Sequence, residues 1–169
     1  MKAKLIIEGK EIEIEISEEE YKKLQSEEEK KTGYERVPEY DGFYYESSEA
    51  TVEDGLEEHT KLDDEYYDIA NYYSDKTVAE NNARADKLVR QLRRFAVEHR
   101  ECEVNFNNIN TKKYCIDYDY DDGELRISFV FRSKKFGAIY FDSEETTQAA
   151  IDEFHDELIW YFTEYKDSL

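Results

Sequence analysis

Proline, methionine and tryptophan each occur once in the 169 residues, and glycine only six times. So few breakers exclude a proline-rich linker, a glycine-rich coil and a low-complexity tail, and leave a chain of regular elements. The glycines are isolated, so no phosphate-cradling loop can form. Only two cysteines are present, Cys102 and Cys115, too few for a disulfide framework; both are expected to be reduced and buried. No run approaches 18 apolar residues, so no membrane span is expected. Leu5-Ile6-Ile7 runs into Glu8 and is too short for the apolar core of a signal peptide, which makes a cytoplasmic location the expectation. Basic residues are scarce as well: 23 Lys and Arg face 43 Asp and Glu, a formal net charge of −20.

That charge repels nucleic acid and anionic membrane, so direct DNA binding is not expected. It attracts basic surfaces over about a Debye length, ~8 Å at physiological salt. It is unevenly placed. Residues 1–75 carry 24 acids against 9 bases, residues 76–101 carry 4 against 7, and residues 102–169 carry 15 against 7. What is abundant besides acid is aromatic: 15 Tyr and 9 Phe. A tyrosine core supplies buried area plus hydroxyls that need partners.

The pattern of the chain is α+β: antiparallel β-hairpins packed against two long helices, with a small N-terminal appendage. Residues 1–31 read as that appendage. A strand at Leu5-Ile6-Ile7 turns at Glu8-Gly9-Lys10 into the strict alternation of Glu11 to Ile16, isoleucines inward. Ser17 and Glu20 then form a capping box for a helix to about Lys31. Residues 32–169 form the acidic main domain. Short strands are expected at 34–37 and 43–45, and a polar loop from Glu46 to Glu65. Two strand–helix repeats follow, at 66–98 and 137–165. Aligning Tyr72-Tyr73-Ser74 with Tyr140-Phe141-Asp142 superposes two strand ends and two helix starts, with Asp142 and Glu145 as the second capping pair. Between them, Tyr114–Tyr120 and Leu125–Phe131 alternate around the turn Asp121-Asp122-Gly123.

Candidate chemistry is thin. Asp117-x-Asp119-x-Asp121 resembles the opening of a calcium loop, but Asp122 stands where that loop needs glycine and Ser128 where it needs glutamate. His59, His99 and His155 are scattered, with no metal-ligand spacing; His99 reads instead as a helix C-terminal charge. No nucleophile signature is present. The expectation is therefore no enzyme, no metal and no cofactor. Arg84, Lys87, Arg90, Arg93 and Arg94 reverse the sign locally. They suit phosphates or an acidic partner, or more simply the chain's own carboxylates.

The candidate partner-binding residues are the acidic clusters Glu57, Glu58, Asp63, Asp64, Glu65 and Asp68, and Asp117, Asp119, Asp121 and Asp122. Outward residues recur along a strand every ~6.6 Å, close to the ~7 Å of two nucleotide steps. A rigid hairpin can thus hold carboxylates where a duplex holds phosphates.

The stretch from Tyr72 to Leu88, the stretch from Ile139 to Glu145, Trp160-Tyr161-Phe162 and Thr32-Gly33-Tyr34-Glu35-Arg36-Val37 together resemble a family of uncharacterised proteins. They come from phages and mobile elements of Gram-positive, often gut, bacteria, and the likeness covers about residues 32–165. The resemblance implies a viral or anti-defence role in the bacterial cytoplasm. Some small acidic phage proteins of this sort are anti-CRISPR proteins that jam an RNA-guided nuclease. On this reading the partner is the basic surface of a nucleic-acid-binding protein, foremost a guide-loaded type II Cas nuclease inhibited by DNA mimicry. The alternative expectation is a non-catalytic phage accessory or assembly protein, an oligomer among the options, whose acidity serves solubility.

Overall fold

A computed structural model describes residues 2–7, 10–15, 17 and 31–168. Strands β1 (Lys2–Ile7) and β2 (Lys10–Glu15) pair antiparallel, with Leu5 opposite Ile12. The inward or outward sense of their side chains, their turn, and the expected helix after Ser17 lie outside the described residues. Strands β3 (Gly42–Glu46) and β4 (Val52–Leu56) form a second hairpin, followed by helix α1 (Lys61–Asp68) and helix α2 (Lys76–Glu98). Strands β5 (Lys113–Asp119) and β6 (Glu124–Val130) form a third hairpin, followed by α3 (Glu144–Glu153) and α4 (His155–Thr163). The fold is α+β, hairpins against helices, as the periodicity predicts. No helix among the described residues is long and apolar enough to cross a membrane.

The organising element is α2. The Asp75 carboxylate caps it by accepting from the Val78 N–H at 3.0 Å, satisfying one of the orphan donors of the first turn. Val78, Ala85, Leu88, Leu92 and Phe95 then recur at helical spacing and are all buried; burying each large apolar side chain contributes about 1.5–3 kcal/mol. Leu88, Leu92, Phe95 and Ala96 meet Phe141, Ala150, Ile151 and Leu158 in the main core. Tyr114, Ile116, Leu125 and Ile127 of the third hairpin pack against that core. At the other end of α2, Val78 and Ala79 meet Tyr73, with Tyr34, Tyr44 and Val52 around them. The helix ends at His99, whose Nδ1 lies 3.0 Å from the Phe95 carbonyl and whose ring stacks on Phe95 at 3.9 Å.

The repeat is real, but its unit is larger than a strand and a helix. Tyr73 and Phe141 are not in strands; each makes a single antiparallel bridge to the first strand of a hairpin, Tyr73 to Tyr44 and Phe141 to Tyr114. Two residues later comes the N-cap, Asp75 or Ser143. Each unit is therefore hairpin, bridge, cap and helix, and the hairpin precedes the segment at which the repeats at 66–98 and 137–165 were expected to start.

Other expectations change with it. Residues 61–68 are helix, not loop and strand, and residues 34–37 are not a strand; β3 pairs instead with Val52–Leu56. The second long helix breaks at Phe154, whose ring meets Phe95 edge-on at 5.8 Å. Ser143, not Asp142, is the cap. The Asp142 carboxylate instead accepts from the N–H groups of Glu101 and Cys102. Cys115 is buried, and Cys102 is exposed.

Gly33 shows how closely the chain packs against the start of α2. Its φ is +92°, its carbonyl accepts from the Ser74 N–H at 2.8 Å, and a Cβ there would lie 2.6 Å from Val78 Cγ2. Gly33→Ala is expected to cost about 2 kcal/mol through backbone strain and that clash, lowering the thermal midpoint by roughly 4–8 °C. An unchanged midpoint would show that this approach is not required.

Candidate acidic interface

The first acidic cluster begins with two carboxylates that the fold has turned inward. Glu57 is fully buried. It accepts two hydrogen bonds from Arg36, both at 2.9 Å, one from the Tyr72 hydroxyl at 2.8 Å and one from the His59 N–H at 2.9 Å. The guanidinium lowers its carboxyl to about 2, and Tyr72 and His59 add to that against the opposing effect of burial. Asp63 is buried as well. It completes the capping box of α1, accepting from the Thr60 N–H at 2.8 Å while Thr60 Oγ1 accepts from its own N–H. Burial pushes its carboxyl up, but the donors of Thr60 and Glu58 outweigh this and hold it below its usual value. Both carboxylates are thus buried and bonded to groups of the chain itself.

Glu58, Asp64, Glu65 and Asp68 stay outside. Asp64 pairs with Arg36 at 2.7 Å and Glu65 with Lys61 at 3.0 Å. Asp68, the last residue of α1, holds no ion pair among the described residues.

The second cluster sits on the tip of the β5–β6 hairpin. Asp119 accepts from the N–H groups of Asp121 and Asp122, at 2.9 and 3.2 Å, and these bonds lower its pKa. It therefore shapes the turn, and Gly123 closes it at φ +73°. The loop is flanked by strands rather than by the helices of a calcium hand. Arg126 pairs with both Asp119 and Asp122. Asp117 is exposed and accepts from the Ser128 hydroxyl at 3.1 Å, and Asp121 is exposed without an ion pair among the described residues. Asp117, Asp119, Asp121, Asp122 and Glu124 thus outnumber the one guanidinium of Arg126, which pairs with two of them, so the tip remains strongly negative.

The basic face of α2 is mostly consumed internally. Arg84 binds Glu157 through two nitrogens, at 2.8 and 3.1 Å, with its guanidinium 3.9 Å from the Trp160 ring centroid. Arg90 pairs with Glu46, and Arg94 reaches Glu98 at 3.9 Å. Lys87 and Arg93 are left without a carboxylate among the described residues.

Helix ends carry a further sign. The C-terminal end of a helix is partially negative, and a cation there stabilises by about 0.3–1 kcal/mol while an anion does the reverse. None of the four described helices has a basic residue in its last turn. Instead α1 ends on Asp68, α2 on Glu98, α3 on Glu153, and α4 is C-capped by Glu164. Sequence reading could have found this by checking charge against helix polarity, and could have found the α1 start from Thr60-x-x-Asp63. Comparison with protein-family models, curated proteins and solved structures finds no match for this chain.

Proposed function

We propose that this chain is a non-catalytic acidic binding protein that occupies the nucleic-acid-binding surface of a basic protein. The observation that carries the reading is the placing of acids at helix C-terminal ends, where they cost stability. Helix economy would put lysine or arginine at those positions, so the negative surface is kept against local preference. The hairpin tip supports it, because the turn bonds of Asp119 hold the backbone from which the exposed Asp121 and Asp122 project. The internal pairing of Arg84, Arg90 and Arg94 supports it too, since α2 then offers few free cations to phosphates. A guide-loaded type II Cas nuclease is the partner we put first, on the resemblance to phage proteins. Such a nuclease reads a short duplex motif with arginines and holds nucleic acid in a basic channel, the surface an anti-CRISPR inhibitor with these charges would fill.

The test is binding to that nuclease followed by a DNA-cleavage assay. Affinity should fall as salt rises. The combined Asp68→Lys, Asp117→Lys and Asp121→Lys variant should bind at least 100-fold more weakly, while Asp68→Lys alone should raise thermal stability slightly by satisfying the end of α1. Salt-independent binding, or inhibition that survives the triple reversal, rules out charge mimicry. An obligate oligomer indifferent to the nuclease would favour an accessory or assembly role.

A further inference from the structure

A cavity of about 320 Å³ opens between α2, α4 and the strap that follows β6. Leu88, Val89 and Leu92 line it from α2, Ile116 from β5, and Leu158 and Phe162 from α4, with the strap Lys135–Ile139 along its mouth. That volume is at the small end of the roughly 300–1,000 Å³ of ligand pockets, and the lining is apolar as such pockets are. A second recess shares the strap residues Lys135 to Ala138 and adds Arg93 and Lys134. Beside an apolar chamber, then, lies a recess carrying three cations.

These cations differ from the paired arginines of α2. Arg84, Arg90 and Arg94 of the same helix each hold a carboxylate. Arg93, Lys134 and Lys135 hold none among the described residues, although the chain carries 43 acids; Lys134 only faces the Phe106 ring at 5.8 Å. Three like charges in one recess repel one another, and an anion seated there relieves that cost. Phe136 at the mouth is fully exposed, its ring contributing no burial. The glycine after it adopts φ +79°, with open space where a side chain would be.

We propose that this paired recess binds a single-chain amphiphile with an anionic head, a medium-chain carboxylate being the fitting class. The chain would lie along Leu88, Leu92 and Leu158, the head would meet Arg93, Lys134 and Lys135, and the Phe136 ring would cover the chain where it emerges. Each recess alone is unselective: the chamber takes any hydrocarbon and the cations take any anion. Together they require both in one molecule. No residue of the two acidic clusters lines either recess.

Titration calorimetry with sodium decanoate below its micelle concentration tests this. One saturable site per chain is expected, with decyl sulfate competing and decyltrimethylammonium not binding. The Arg93→Glu, Lys134→Glu and Lys135→Glu triple variant alters exposed residues only, so it should keep the far-UV dichroism of the parent while losing at least tenfold in decanoate affinity. Val89→Trp, which fills the chamber, should lose it too. The proposal is overturned by an absence of saturable binding, by equal binding of the cationic amphiphile, or by an affinity that the triple reversal leaves unchanged. Self-association through this face without decanoate uptake would overturn it as well.

Discussion

Glu57→Ala is expected to destabilise the protein by about 3 kcal/mol, the low end of the cost of breaking a buried ion pair. The carboxylate is the common acceptor for Arg36, the Tyr72 hydroxyl and the His59 N–H, so its removal strands three donors rather than one. Arg36 retains Asp64 and partial access to water, which is why the loss falls at the low end. The effect depends on pH with a definite sign. The folded carboxyl lies at about 2 against an ordinary 4.5, so the unfolded chain takes up the proton first as acid is added. The stabilisation is complete above about pH 4.5 and is lost as the pH falls toward 2. Glu35 adds in the same window: the Thr32 N–H and further donors hold its carboxyl at about 2. Net charge works in the opposite direction, since acidification from pH 7 toward the isoelectric point near 4.5 relieves self-repulsion. Parent stability should therefore be greatest between roughly pH 4.5 and 6, and the gap to Glu57→Ala should narrow below that range. Urea unfolding across pH 3 to 7 measures both. A gap that stays constant across that range would mean that folding does not lower the Glu57 carboxyl.

What could be read from the residues followed local periodicity, and what could not depended on distant partners. The capped amphipathic helix from Lys76 and the alternating hairpin from Lys113 carry their own signals, and both were legible. The same holds for the alignment of Tyr73 with Phe141, although one bridge apiece supplies too little pairing to look different from a short strand. Glu57 reads as one acid among many, because the residues that bury it lie 21 positions upstream at Arg36 and 15 downstream at Tyr72. Lys113 is the converse case. It sits at the start of an alternating strand, yet it is buried, with Nζ donating to the carbonyls of Asn108, Thr111 and Phe131. Composition cannot distinguish a surface lysine from one that closes a loop. The meaning of the Phe131-Arg132-Ser133-Lys134-Lys135-Phe136 run depends on Arg93, which only the fold brings beside it.

Phe141→Ala should be the most damaging of these changes, at about 4 kcal/mol. Phe141 is 1% exposed and stands among Leu88, Leu92, Ile151 and Leu158. Its backbone holds the third hairpin in place, donating to and accepting from Tyr114 at 2.8 and 3.1 Å. Those bonds need no side chain, so the substitution removes the ring and leaves the bridge, and the cost is transfer plus cavity. The cavity share should be large. Phe141 also forms part of the wall of the 320 Å³ chamber, so truncation enlarges a space already present, and α2 and the hairpin, braced by their other contacts, can close on it only partly. Phe141→Leu, which keeps most of the volume, should cost less than half as much. Equilibrium unfolding in urea separates the two, with an unchanged denaturant slope showing that the native state has kept its shape. If alanine costs no more than leucine, the wall has collapsed inward and the chamber is softer than its lining implies. If the chamber binds an amphiphile, saturating decanoate should stabilise the parent in proportion to its affinity. It should also restore part of the loss in Phe141→Ala, where the chain could extend into the vacated space.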